Sequence, residues 1–258
     1  MAEILDYFRK ERLPHIWCQG CGHGTVTSAL VLDFDTLHTA HGRAIAFATG
    51  VKHAKPKLKV IVMTGDGDCA AIGGNHFIHA ARRNIDITTI VMNNSTYGMT
   101  SGQYSPTTPH GMLGTTAPYG NVEFDFDLCE LAKAAGATYV ARATSFHVTL
   151  LQDLIEKALM NKGFSVVEAL TQCPTYFGRK NKIGGPVELL NWIKDRTVNV
   201  KAAAALPPEK IQGKMLIGEL HKVERPEYTA TYAEMTTKIQ RTFNDYKGGN
   251  RGCELNSD

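Results

Sequence analysis

No stretch of this 258-residue chain is apolar for long enough to cross a bilayer. The opening residues, Met1 to Leu13, are charged throughout and lack the apolar core of a secretion signal, so the expected location is the cytoplasm. Charge of one sign is also scarce. A formal net charge of +3 is too weak a field to draw nucleic acid or a membrane surface, and neither is expected as a partner. The basic residues are scattered, and one modest cluster (Arg179, Lys180, Lys182) reads first as a solvated loop. Internal repeats and low-complexity segments are missing. So is a Gly-x-Gly-x-x-Gly fingerprint opening a strand–helix unit, which disfavours NAD. What remains is ordinary soluble composition, 43% hydrophobic and 21% charged, enough for one large α/β domain or two small ones. In a reducing compartment the six cysteines (18, 21, 69, 129, 173 and 253) stay reduced, and clustered ones point to metal rather than disulfides.

Hydrophobic periodicity gives the architecture. Residues 58–64 form a short run rich in β-branched side chains, ended by Gly65, and read as a buried parallel strand. Helical spacing follows over 70–83, a second strand over 86–92, helix over 126–135, strand over 137–142, helix over 145–162 and strand over 164–170. Such alternation predicts a parallel sheet with helices on both faces. The Gly-, Pro- and Thr-rich stretch 98–123 is a long loop inside a compact domain, more often functional than accidental. Beyond Cys173 the pattern loosens, with helices expected at 186–195 and 231–245 and a mobile tail from Lys247. Residues 24–32 and 36–53 read as two helices with almost no loop and no strand between them, which a parallel architecture does not allow. This seam at Leu32/Asp33 implies that residues are missing there; a single long bent helix or a tight helical corner is the alternative.

Two motifs carry the chemistry. Gly65-Asp66-Gly67 sits at the carboxyl end of a strand, where α/β sheets bind ligands. Glycines let backbone N–H groups approach phosphate oxygens, and the following helix offers a positive N-terminus. Asn93-Asn94 ends the next strand, and the 25 residues between Gly67 and Asn93 leave room for one helix and one strand. Asp66 and Asn94 therefore stand at adjacent strand tips, and oxygen ligands beside a phosphate suit Mg²⁺. Either piece alone is a common turn; the pair at this spacing is not.

The second motif is Cys18-Gln19-Gly20-Cys21-Gly22-His23-Gly24. A thioredoxin-type Cys-x-x-Cys needs a preceding strand, and the charged, proline-containing residues 9–15 do not supply one. Zinc with His23 as a further ligand is one reading. An iron–sulfur cluster completed by distant cysteines is another, with Cys173, after a strand and before Pro174, the best candidate. Cys69 and Cys129 fall in helices as core residues, and Cys253 lies in the tail.

Gly-Asp-Gly closed by Asn-Asn resembles the thiamine diphosphate motif. Together with the Cys-x-Gly-Cys-Gly-His-Gly run, Thr39-Ala-His41-Gly42-Arg43-Ala, Gly73-Gly-Asn-His76 and Tyr97-Gly-Met-Thr100-Ser-Gly-Gln103-Tyr-Ser-Pro-Thr, it is similar to the β subunit of 2-oxoacid:ferredoxin oxidoreductases, nearest the 2-oxoglutarate branch, over nearly the whole chain. The resemblance implies a thiamine diphosphate-binding, pyrophosphate-type α/β domain over residues 1–175 that also carries iron–sulfur ligands. Residues 176–258 would be a C-terminal extension packing on the same domain or on an α subunit. It implies Mg²⁺ held by Asp66, Asn94 and the Thr96 carbonyl. Cofactor contacts would come from Cys21, Gly22, His23, Gly65, Asp66, Gly67, Asp68, Asn94, Tyr97, Gly98, Met99 and Thr100. It implies a [4Fe–4S] cluster on Cys18, Cys21 and Cys173, whose remaining family ligand belongs to a Gly-Ile-Gly-Cys-Ser segment absent from this sequence and expected at the Leu32/Asp33 seam. His23 and the 97–104 loop would line the thiazolium. His41 and Arg43 would attract substrate carboxylates or else cap and pair with helical neighbours, and His76 or His79 reads as a core histidine. The implied reaction converts 2-oxoglutarate, coenzyme A and oxidised ferredoxin to succinyl-CoA, CO₂ and reduced ferredoxin, reversibly, in a heterodimer whose α subunit holds the aminopyrimidine. Alternatives are pyruvate or another 2-oxoacid on the same machinery, a non-catalytic iron–sulfur electron-transfer subunit, or a non-redox thiamine lyase.

Overall fold

The computed structural model describes Cys18, residues 20–30 and residues 36–249. The Leu32/Asp33 seam and Cys253 lie outside the described residues. A six-stranded sheet in the order β1-β2-β4-β3-β6-β5 organises the chain. Strands β1 (Ile61–Gly65), β2 (Thr88–Asn93), β4 (Ser165–Leu170) and β3 (Tyr139–Thr144) are mutually parallel. Every residue of β2, β3 and β4 is buried, as expected where helices cover both faces. One face packs Phe77, Ile87, Leu128, Val140 and Phe164 beneath α2 (Ala44–Ala54), α3 (Gly74–Arg83) and α4 (Leu128–Ala135). The other packs Val26, Tyr139, Leu151, Leu154 and Val167 beneath α1 (Gly22–Leu30) and α5 (Val148–Met160). No described helix is long and apolar enough to cross a membrane.

Three departures from the sequence reading have local causes. The helix expected over 36–53 begins only at Ala44. Ahead of it the Gly42 N–H and the His41 ring bond to the Asp68 carboxylate, and Gly42 adopts φ +72°, which holds the chain in a turn. The helix expected over 70–83 is split into a π-helical turn, Asp68–Ile72, and α3. The loosened C-terminal pattern conceals two strands, β5 (Thr197–Asn199) and β6 (Met215–Lys222), with α6 (Pro186–Asp195), α7 (Val200–Ala203) and α8 (Pro208–Ile211) around them. β6 adds antiparallel to β3, with its register shifted between Val140 and Ala141, so the otherwise parallel sheet ends in a mixed edge. Helix α9 (Tyr228–Gly249) closes the described chain.

A buried ion pair ties the sheet to α4. Arg142 on β3 donates from Nε to Glu168 on β4 at 2.6 Å and from Nη2 to Asp127 at 2.5 Å. Asp127 also caps α4, accepting from the Cys129 and Glu130 N–H groups at 3.0 Å each. Burial alone would raise the Asp127 carboxyl, but Arg142 and these two donors hold it below the ordinary carboxylate value.

Removing Arg142 strands Glu168, which is 2% exposed. Arg142→Met is expected to cost about 3–5 kcal/mol in denaturant unfolding. Adding Glu168→Gln, which removes the charge and keeps an acceptor for Asn93, should recover part of that loss. A depressed carboxyl stabilises most above its unfolded value near pH 4 and loses that contribution as pH falls below it. The stability advantage of wild type over Asp127→Asn should therefore shrink below about pH 4.

Candidate metal and diphosphate site

The parallel pairing of Gly65 with Met92 sets the tips of β1 and β2 side by side, with Asp66 leaving one and Asn93-Asn94 the other. Asp66 is 2% exposed. Ser105 and Thr107, from the long loop that returns over the site, donate to its Oδ2 at 2.5 and 2.6 Å. Neither hydroxyl touches Oδ1. Burial pushes the Asp66 carboxyl up, while these hydroxyls and the backbone N–H groups of Asp66 and Asn94 oppose the rise. An anion this buried, with no cationic side chain among the described residues bonded to it, is a poor structural choice and a good hard-cation ligand.

The second strand tip divides its work between two asparagines. Asn93 faces inward: its amide donates to Glu168 at 2.7 Å and its carbonyl accepts from Thr107 at 2.9 Å. The same carbonyl accepts from the Ser95 N–H at 3.0 Å, holding Ser95 at φ +55°. That turn leaves Asn94 and Thr96 beside Asp66's strand tip, both buried, with the Thr96 N–H donating to Asn94 Oδ1 at 3.3 Å. The residues fit a Mg²⁺–diphosphate group. A carboxylate and an amide carbonyl supply hard oxygens, and a Cβ added at Gly65 would meet nothing within 4 Å, so backbone there is open to a ligand. Gly67 is required for a different reason: a Cβ there would sit 2.3 Å from the Tyr97 ring, whose hydroxyl donates to the Gly67 carbonyl at 3.1 Å.

Other sequence-singled residues separate into two groups. Asp68 braces the site from behind, accepting from Thr64 and the Gly42 N–H at 2.6 Å each and pairing with His41. Burial would raise the Asp68 carboxyl, but these donors keep it below the ordinary value. Arg43 donates to the carbonyls of Ile72 at 3.2 Å and Gly42 at 3.3 Å, holding the end of the π-helical turn. Within the described chain His41 and Arg43 thus hold structural partners. Thr100 bonds Gln103 at 2.7 Å and Met99 is 90% exposed. His76 is partly buried.

The cysteine motif lies against the same sheet edge. The Cys21 N–H donates to the Cys18 carbonyl at 2.9 Å, closing a turn, and the Gly22 N–H donates to the Gln172 carbonyl at 3.1 Å. This stitches α1 to the segment just after β4; a Cβ at Gly22 would strike Gln172 and Thr171 at 2.5–2.6 Å. Cys173 follows immediately. Burial raises the Cys21 thiol, and Cys173 and Cys18 are close enough to raise it further. Cys69 and Cys129 are buried in the core instead. Burial lowers the His23 imidazole, and a hydrogen bond to the Met92 backbone opposes that shift. Gly98 lies near both motifs: from the position of its missing Cβ, Asn94 Nδ2 is 3.8 Å away and Cys173 Sγ 3.9 Å. Ser105 and Thr107 were missed as site residues, although the Ser-Pro-Thr run was part of the motif; their role needs the 98–126 loop to fold back.

Strand-tip carboxylate and amide, glycine cradle and doubly covered parallel sheet define a thiamine diphosphate-binding domain. The family described as thiamine pyrophosphate enzyme, C-terminal TPP binding domain, matches residues 20–169. The chain is 51% identical to 2-oxoglutarate synthase subunit KorB of Methanothermobacter marburgensis over 86% of this chain and 88% of that one. It is 44% identical to the same subunit of Methanocaldococcus jannaschii over 93% and 99%. Its fold matches 2-oxoglutarate:ferredoxin oxidoreductase from Magnetococcus marinus, solved with 2-oxoglutarate, coenzyme A and succinyl-CoA bound, with a TM-score of 0.81 and 30% identity, covering 93% of this chain and 91% of that one. The chain belongs to the KorB family of 2-oxoglutarate synthase subunits. The marburgensis alignment spans 251 positions but takes in only 86% of 258 residues here, about 222, so about 29 positions of that relative have no counterpart in this chain.

Asp66→Asn is expected to abolish Mg²⁺-dependent thiamine diphosphate binding in calorimetric titration. Thr107→Val should weaken it about tenfold or more, the value of one hydrogen bond to a charged group, and Thr107→Ser should retain it. Equal affinity in Thr107→Val and wild type would show that the hydroxyl does not hold the carboxylate.

Proposed function

We propose that this chain is the catalytic β subunit of a thiamine diphosphate- and Mg²⁺-dependent 2-oxoglutarate:ferredoxin oxidoreductase. The reaction takes 2-oxoglutarate, coenzyme A and two oxidised ferredoxins to succinyl-CoA, CO₂, a proton and two reduced ferredoxins, and runs in either direction. The observation that carries the reading is adjacency: the Asn94 amide and the Cys173 thiol both lie within 4 Å of the position a Cβ would take at Gly98. A site for an organic cofactor and a site for an electron carrier share one glycine. Thiamine diphosphate supplies the carbon nucleophile and electron sink for decarboxylation, and a [4Fe–4S] cluster accepts electrons singly.

This chain's part is to place both groups. Asp66, Asn94 and the Thr96 carbonyl hold Mg²⁺ against the diphosphate, with Ser105 and Thr107 fixing the carboxylate. Cys18, Cys21 and Cys173 supply three cluster thiolates. The positions present in relatives and lacking here support the reading that the fourth belongs to a segment missing at the Leu32/Asp33 seam. His23 and the loop from Tyr97 to Tyr104 line the thiazolium. The aminopyrimidine lies on an α subunit. Exposed apolar side chains on the loop over the site, Tyr119 at 100% and Phe124 at 86% exposure, support a partner there.

Purified with that subunit under anaerobic conditions, the protein should reduce ferredoxin with 2-oxoglutarate and coenzyme A. Its kcat/KM should exceed that for pyruvate by about tenfold or more, since the second carboxylate must be paired. A preference for pyruvate would overturn the substrate assignment. Cys173→Ser should lose the broad visible absorbance and ferredoxin reduction while still binding thiamine diphosphate.

A further inference from the structure

Behind the metal-holding residues lies a cavity of about 280 Å³, between the carboxyl edge of the sheet and the roof formed by α6 and residues 213–215. Asn93, Thr107 and Glu168 form part of its floor, and Trp192, Arg196 and Lys214 part of its roof. None of the roof residues has a role in the site described above.

The charges in this cavity are unevenly satisfied. On the floor the acids are engaged: Glu168 accepts from Asn93 and Arg142, and Asp127 from Arg142 and the α4 N-terminus. Asp125 also lines the cavity and is exposed. On the roof the cations are not engaged. Arg196 stacks its guanidinium 4.7 Å from the centre of the Trp192 ring, which fixes its plane. Its Nε is buried and has no hydrogen-bond partner among the described residues. Lys214 is brought beside it by the Met215 N–H, which donates to the Arg196 carbonyl at 2.9 Å. Neither Arg196 nor Lys214 forms an ion pair with any described residue. A buried donor on a charged group left unsatisfied is costly, and an anion is the natural acceptor. A pre-stacked guanidinium suits phosphoryl or carboxylate oxygens, with a nearby ammonium as a point charge.

We propose that this cavity, which adjoins the diphosphate site at Asn94, is a second ligand site that takes a compact anion bearing a phosphoryl or carboxylate group through Arg196 and Lys214.

The test is calorimetric titration of the full chain in its native complex, with thiamine diphosphate and Mg²⁺ saturating so that the diphosphate site is filled, at constant ionic strength. Inorganic phosphate and succinate serve as separate probes. Saturable binding of at least one probe with a dissociation constant below about 1 mM is expected. Arg196→Gln and Lys214→Gln should each weaken it about tenfold or more while leaving thiamine diphosphate affinity unchanged. Lys214 is exposed, so its variant reports binding even if Arg196→Gln disturbs packing on Trp192. Which probe binds identifies the anion class. Absence of saturable binding by both probes, or wild-type affinity in both variants, would overturn the proposal.

Discussion

The Asp66 carboxylate is the constraint around which the rest is arranged. It is nearly sealed from water, is pushed toward its neutral form by burial, and has hydroxyls and backbone N–H groups rather than a cation side chain for company. Hydrogen bonds orient it without neutralising it. A divalent cation against this carboxylate would supply the charge that burial removes from solvent, and only the charged carboxylate would bind it. Cofactor binding and the electrostatics of this strand tip are thus one problem.

That carboxylate is not held in isolation. Thr107 touches both Asp66 and Asn93, Asn93 reaches Glu168, Glu168 reaches Arg142, and Arg142 reaches the cap of α4. A continuous polar chain therefore runs from Asp66 to a surface helix. Each member is satisfied by the next, which is the condition under which buried polar networks rigidify a site rather than destabilise it. Near the same strand tips, the amide of Asn94 and the thiol of Cys173 both lie within 4 Å of the position a Cβ would take at Gly98. A Cβ at Gly98 would make ordinary van der Waals contact with both.

Much of the fold was legible in the sequence because it is locally encoded. The apolar, β-branched runs that became β2 and β4 are buried on both faces, the run that became β1 is buried at alternate positions, and α6 falls at 186–195 as its spacing predicts. The misses have tertiary causes. Residues 36–43 have helical composition, but Asp68, 26 and 27 positions away from its partners, pulls Gly42 and His41 into a turn. β6 has a Gly and mixed polarity, Met-Leu-Ile-Gly-Glu-Leu-His-Lys, and becomes a strand because β3 offers it an edge. For the site, Asp66 and Asn94 were readable from spacing, since consecutive parallel strands end together. Ser105 and Thr107 were not, because their approach to Asp66 spans about 40 residues of loop return. The roof of the anion cavity was invisible for the same reason, being built from α6 and the turn before β6.

The most direct test of the central claim is anomalous diffraction from crystals of the complex loaded with Mn²⁺ in place of Mg²⁺ and with thiamine diphosphate. The account predicts one strong peak about 2.0–2.3 Å from an Asp66 carboxylate oxygen and the Asn94 amide oxygen, bridging the two phosphates. A peak bound elsewhere, or a diphosphate seated without these two side chains, would contradict it.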